Sequence, residues 1–295
     1  MIVLTTPTGT IGRQVLGHVL AAGEPVRLIV RDPAKLPADV RDRVEVVAGS
    51  HGDPHVADRA LDGADTLFWL PPPNHHAAHL DDAFVGFTRP VLGAIGRVKR
   101  VVSVSAAGRG TAYADRAGHV TASLAMDDLI AGTGVALRAL AMPSFMDNLL
   151  RQAGLIAQQG MFVDVVDPDR RRPTVATRDI AAVAARLLLD PAWTDQREIP
   201  VLGPEDLSYD EMAAIATEVL GTPVRYQRIP GETFARRLAD AGTSAAMTQA
   251  LLDMMTAKDH GLDDGVTRTP RHAADTPTTF RQWCEDTLKP AVRAA

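Results

Sequence analysis

Thr6-Pro7-Thr8-Gly9-Thr10-Ile11-Gly12 follows an apolar run at residues 1–5. It opens a segment in which Ile11, Val15, Val19 and Leu20 recur at helical spacing. A strand, a tight turn and a helix in that order suit the holding of an anion, because the first N–H groups of the helix lack partners. Gly9 and Gly12 fill the second and third glycine places of G-x-G-x-x-G. Gly9 lets the backbone approach a diphosphate, and Gly12 lets the helix pack closely on the strand. Thr6 stands in the first glycine place, so a residue with a side chain must make the turn, and Pro7 stiffens it. On the motif alone, a plain strand–helix turn is the competing reading. Thr6, Thr8, Gly9, Thr10, Ile11 and Gly12 are the candidate dinucleotide-binding residues of this turn.

The next strand-like run, VRLIV, ends at Arg31, with Lys35 nearby. An acid at such a strand end accepts from the ribose 2′-hydroxyl of NAD, whereas a cation suits the 2′-phosphate of NADP. Arg31 and Lys35 therefore point to NADPH, and Asp32 is expected to turn the other way. Leu70 and Pro71, where the fourth strand stops at Pro71-Pro72-Pro73, and Ser103 on the fifth are expected to border the same ligand. A solvated strand-end arginine is the plainer alternative for Arg31.

These residues need a frame. Strand-like runs at 1–5, 26–30, 44–48, 66–70, 101–104 and 135–140 alternate with helical patterns, which predicts a parallel sheet covered on both faces. A helix is expected from about 75 to 95 and another from about 121 to 131. The second half is less regular: helices at 148–159, 179–189 and 209–220, strands at 161–166 and 199–202, and a small outer strand at 224–229. Arg170-Arg171-Arg172 reads as a solvated hairpin tip. We expect a dinucleotide-binding domain at 1–145 and a smaller lobe at 146–295, with 178–203 returning a helix and a strand to the sheet.

The net charge of −5, without a basic block, argues against nucleic acid as a partner. One cysteine, Cys284, excludes an internal disulfide and suits a cytoplasmic protein. No apolar run is long enough to span a bilayer, and no leader is evident. The expected partner is a small molecule, and oligomeric state is left open.

VLTTPTGTIG, VRLIVRDPAKL, GADTLFWLPPP, RVVSVSAAG, PSFMDNLL, TRDIAAVAARLLLD and VLGPEDLSYDEMAAIATEVLGTPVRY, taken in order over nearly the whole chain, resemble the NmrA-like branch of atypical short-chain dehydrogenases/reductases. The resemblance implies an α/β fold: a Rossmann-type doubly wound parallel sheet with a smaller α+β C-terminal lobe. It also implies NADP(H) as cofactor. Relatives of this kind include quinone, azo-dye and triphenylmethane-dye reductases, and redox-sensing regulators that bind the dinucleotide without turnover.

Orthodox short-chain dehydrogenases place a serine at the end of the fifth strand and Tyr-x-x-x-Lys on the next helix. Here Ser105 takes the serine place, His119 the tyrosine place and Ser123 the lysine place. His119 can donate a proton near neutral pH, but Ser123 carries no charge. Tyr113 is followed four residues on by Ala117, and Met142-Pro143 stands where the resemblance expects Leu-Arg-Pro. His119 and Ser105 are the candidate catalytic residues, with a bystander His119 as the alternative. A substrate wall is expected from Pro72, His75, Pro143, Phe145 and Met146, with interlobe core as the competing reading for Phe145 and Met146. His75 and His79 have the i, i+4 spacing of zinc ligands on a helix, with Asp82 beyond, but the hydrolytic glutamate is missing, no third ligand of quality is evident and no metal is expected, structural or substrate-rim histidines being the competing reading.

The sequence thus points to NADPH-dependent reduction of an apolar, aromatic or quinonoid small molecule in an interlobe cleft. The alternatives are a non-catalytic NADP(H) sensor and a non-redox dehydratase or cyclase on the same fold.

Overall fold

A computed structural model describes residues 1–72 and 74–295, so Pro73 lies outside the described residues. Two compact units account for the chain. The first comprises Met1–Ala106, Ala122–Ala141 and Ile180–Ile199, and the second Ala107–Thr121, Met142–Asp179 and Pro200–Ala295.

The first unit is built on seven strands: β1 (Ile2–Thr5), β2 (Val26–Val30), β3 (Glu45–Ala48), β4 (Thr66–Trp69), β5 (Arg100–Ala106), β6 (Ala136–Met142) and, later in the chain, β10 (Gln196–Pro200). They lie in the order β10-β6-β5-β4-β1-β2-β3, and β1 runs parallel to both β2 and β4. This is a Rossmann-like α/β fold. The order reverses at β1, where ligands of such sheets bind at the carboxyl ends of the strands. Every residue of β1, β4 and β6 is buried, as expected of strands covered on both faces. Helix α1 (Thr10–Ala21) buries Ile11, Val15, Leu16 and Val19 on one stripe. The helix Pro54–Leu61 starts with Asp53 accepting from His55 N at 2.8 Å and with proline at its first position. Val56, Ala60 and Leu61 meet Leu67, Trp69, Ile95, Val101 and Met126 in the core of this unit.

The long helix expected at 75–95 is not formed. Four short pieces replace it: Leu80–Ala83, Val85–Thr88, the 3-10 turn Arg89–Val91 and Leu92–Ile95. Phe84 leaves helical geometry at φ −129°, ψ −80°, and Pro90 supplies no N–H. His79 is extended at φ −131°, ψ 147°, and His75 lies in the preceding turn, so the two share no helical face. The spacing read as a zinc-like pair therefore has no helix to sit on.

The second unit carries β7 (Ser144–Phe145), β8 (Met161–Asp164), β9 (Arg172–Val175), β11 (Asp206–Leu207) and β12 (Arg225–Arg228). β8 pairs with β12, and β9 pairs with β7 and β11. Its core joins Met146, Leu149, Phe162, Met212, Tyr226, Phe280 and Trp283. Arg172 corrects the reading of the arginine run as a solvated tip. It is 3% exposed within β9, with its guanidinium 4.7 Å above the Tyr209 ring, and of the three only Arg171 has a largely exposed side chain. No helix among the described residues is long and apolar enough to cross a membrane.

Candidate dinucleotide site

Thr6 leaves β1 with φ +48°, the left-handed region, and it is the one residue other than glycine to do so among the described residues. The reversed loop closes when Gly9 N–H donates to the Thr6 carbonyl at 3.0 Å. Gly12 is sterically required: a Cβ there would stand 2.1 Å from the Thr6 carbonyl oxygen. Gly9 is different, because it has an ordinary φ of −80° and an added Cβ would clear the Thr6 carbonyl oxygen at 3.4 Å. Its openness leaves space toward solvent at the helix mouth.

Gly9 caps α1 without a side chain, and no acidic residue occupies the first turn. The N–H groups of Thr10, Ile11 and Gly12 precede the first possible intrahelical acceptor, so they present partial positive charge. Thr6 Oγ1 is buried with no hydrogen-bond partner among the described residues. A glycine whose Cβ would fill the turn, uncapped donors and an orphaned hydroxyl together fit an anionic group such as a dinucleotide diphosphate.

Beside this loop, Arg31 follows β2. It is exposed and makes no side-chain hydrogen bond or ion pair among the described residues. Asp32 turns away, its carboxylate accepting from Ala34 N at 3.0 Å to cap the 3-10 turn Pro33–Lys35. Lys35 ends that turn in solvent. At the end of β4, Leu70 is held twice: its N–H donates to Thr5 Oγ1 at 3.0 Å, and its carbonyl lies 3.1 Å from His51 Nε2. His51 stands edge-on to Trp69 and Phe87, with centroids 5.1 and 4.8 Å away. Burial pushes its imidazole down to about 4. The Leu70 carbonyl opposes that shift, and the Arg31 charge adds to it. Sequence reasoning passed over His51. The available signal was a histidine just beyond a strand end at the ligand edge of the sheet.

The serines of β5 are engaged inward. Ser103 Oγ donates to Asp127 Oδ1 at 2.7 Å, and Ser105 Oγ donates to Asp127 Oδ2. Asp127 lies on the helix His119–Ala131 and is 2% exposed. It too was missed, because one aspartate in an apolar helix gives no motif. Ser123, one turn earlier, is buried. His119 begins the same helix in the second unit and is half-buried. Gly118 before it has φ +51°, and a Cβ there would meet the Ala250 carbonyl at 2.0 Å. The helix start thus packs closely on the helix Ala245–Asp259.

Pro71 is buried, Pro72 half-buried and His75 exposed, all in the first unit. In the second, Pro143 is buried, Phe145 is half-buried on β7, and Met146 packs at 1% exposure against the core of that unit. Asp147 accepts from Thr177 N at 3.0 Å and Thr177 Oγ1 at 2.7 Å, fastening the helix Thr177–Leu189. The structure thus gathers the glycine turn, Arg31, Leu70 and Ser103 in one unit and places His119, Pro143, Phe145 and Met146 in the other.

Residues 7–191 match the model of an NAD(P)H-binding family, and residues 136–284 match the NmrA-like family. The chain is 30% identical over 286 residues to the (4-alkanoyl-5-oxo-2,5-dihydrofuran-3-yl)methyl phosphate reductase of Streptomyces griseus, covering 96% of each. It is 29% identical over 255 residues to the NAD(P)H azoreductase of Xenophilus azovorans, covering 86% of this chain and 85% of that one. The NADPH-dependent quinone oxidoreductase of Escherichia coli, solved with NADPH, superposes with a TM-score of 0.78 at 22% identity, over 96% of this chain and 98% of that one. That last likeness shows the fold.

Proposed function

The chain belongs to the NAD(P)H-binding and NmrA-like families, and from that premise we propose that it is an NADPH-dependent reductase of an apolar small molecule with an electron-poor conjugated double bond. The observation that carries the reading is the pairing of an uncapped α1 N-terminus with an unengaged Arg31 at the end of β2. The N–H groups of Thr10, Ile11 and Gly12 hold the diphosphate, with Gly9 leaving room for it. Arg31, assisted by Lys35, binds the 2′-phosphate in a charge-assisted contact. Leu70, Pro71 and Ser103 border the dinucleotide along the strand ends.

When bound, NADPH supplies the hydride. The choice of acceptor is supported by two curated relatives, a reductase of an oxo-dihydrofuran and an azoreductase. It is also supported by what this chain offers a developing charge. Ser105 has its proton committed to Asp127, and Ser123 brings no cation. Such a site suits an acceptor that delocalises the added electron pair, with the balancing proton taken from water. Orientation rather than acid catalysis is then the protein's contribution.

Titration with NADPH and NADH, followed by NADPH oxidation on a panel of quinones and azo dyes, tests this. Tight NADPH binding with turnover on at least one acceptor is expected. The inward engagement of both β5 serines favours one second reading, a dinucleotide sensor without turnover, and binding with no acceptor reduced would establish it. Failure to bind either dinucleotide would overturn both.

A further inference from the structure

Thr6 bears two costs that a glycine would not. Its φ of +48° crowds a branched Cβ, and threonine is among the residues least suited to that region. The conformation is imposed from outside, since the Thr6 carbonyl is held by Gly9 N–H and lies under Gly12 with no space to turn. The second cost is the hydroxyl, for Oγ1 is buried without a partner among the described residues, and an unpaired buried hydroxyl is expensive. Both fall on one residue at the mouth of α1, where Thr6 Cβ lies 4.0 Å from the point a Gly9 Cβ would occupy. Backbone held in a rare region by its surroundings tends to belong to a binding site, where a ligand compensates for it.

We propose that Thr6 is an affinity-determining residue whose hydroxyl, after rotation about Cα–Cβ, donates to an anionic diphosphate oxygen of the bound dinucleotide. This rests on the cofactor reading above and deepens it: the chain gives up stability in its free form for a charge-assisted hydrogen bond that a glycine turn cannot make. No bond is made or broken, so the effect lies in binding alone.

Thermal unfolding of the ligand-free protein and NADPH calorimetry on Thr6→Gly, Thr6→Ser and Thr6→Val test it. Thr6→Gly is expected to unfold at a higher temperature than the parent yet bind NADPH at least about tenfold more weakly. Thr6→Ser, which keeps the hydroxyl, should stay within about threefold of the parent. Thr6→Val, which keeps the branching but removes the unpaired hydroxyl, should bind about tenfold more weakly and gain less in unfolding temperature than Thr6→Gly. Thr6→Gly binding as tightly as the parent would overturn the proposal while leaving the cofactor reading intact. A parent protein that binds no dinucleotide would overturn both, and a ligand-free Thr6→Gly less stable than the parent would overturn the exchange of stability for affinity.

Discussion

Two strand ends of the same sheet are used in opposite ways. Beyond β1, the first N–H donors of α1 and the Thr6 hydroxyl have no partner among the described residues, and Arg31 beyond β2 makes no side-chain hydrogen bond or ion pair among them. At β5, both serine hydroxyls are spent on the buried Asp127 carboxylate. Donors left over at a surface await an outside acceptor, whereas donors satisfied inward hold the fold together. On the cofactor reading proposed above, the contrast sets a region kept for a ligand against one whose serines hold the fold together.

The sharpest way to break that contrast is at the two glycines of the turn. Gly12→Ala sets a Cβ 2.1 Å from the Thr6 carbonyl, so α1 must shift. Misfit of this kind costs about 1–3 kcal/mol or more, and dinucleotide binding should vanish with it. Gly9→Val meets no such obstacle in the loop, so the protein should fold normally and lose binding by more than about 100-fold because the side chain stands where the diphosphate approaches. Circular dichroism with calorimetry separates the two. Unchanged affinity in a folded Gly9→Val would place the cofactor elsewhere.

His51 extends the ligand side inward and makes it sensitive to acid. In the unfolded chain it takes a proton below about 6.5, but in the folded protein only below about 4. Between those values the unfolded state binds more protons, so stability falls as pH drops from about 6.5 toward 4, with little further loss below. The gap between the folded and unfolded values corresponds to roughly 3 kcal/mol. Denaturant titrations across that window should show His51→Leu with a flatter profile than the parent, and identical slopes would show that His51 does not set the acid sensitivity.

On the inward side, Asp127→Ala strands two buried hydroxyls, and a loss of about 2–3 kcal/mol is expected. Asp127→Asn should recover part of that loss, since the amide oxygen still accepts one of the two bonds. A midpoint of unfolding unmoved by Asp127→Ala would show that the serines are not tied down and would reopen Ser105 as a proton donor.

Arg31→Ala returns to the ligand side with a smaller change. A charge-assisted bond contributes about 1.5–3 kcal/mol, so NADPH should lose about 10- to 150-fold in affinity and NADH almost none. Equal affinities for the two cofactors in the parent would contradict the reading before any mutation is made.

How far these regions are legible from sequence follows the same division. IVLT, VRLIV and TLFW read as strands because burial on both faces demands unbroken apolar runs, and Gly12 reads as obligatory because steric contact is local. The helix expected at 75–95 misleads: its periodicity is real, but Pro90 and the non-helical Phe84 cut it into single turns. Arg172 misleads by composition, since an arginine run looks solvated until β9 carries its last member over the Tyr209 ring. Asp127 and His51 are illegible singly, because their meaning lies in partners far along the chain: Ser103 and Ser105 for one, Trp69, Leu70 and Phe87 for the other.

The smallest effect is expected at His119, the residue whose place in the chain most suggests chemistry. A histidine acting as general acid accelerates its step by about 100- to 10,000-fold, and its loss would be unmistakable. In the orthodox arrangement the proton donor works beside a lysine at the fourth residue on, and Ser123 there is neutral and buried. Close packing of Gly118 on the Ala250 carbonyl gives the backbone beside His119 a structural setting that asks no catalytic duty of the imidazole. With an acceptor that delocalises charge, His119→Ala should therefore leave kcat within about twofold, and the pH–rate profile should show no limb from an imidazole near pH 6.5. Steady-state rates for parent and variant at pH 6 and pH 8, at saturating NADPH, decide it. A fall of 100-fold or more in kcat with NADPH affinity unchanged would make His119 the proton donor. The proton donor would then stand where the orthodox enzymes carry their tyrosine.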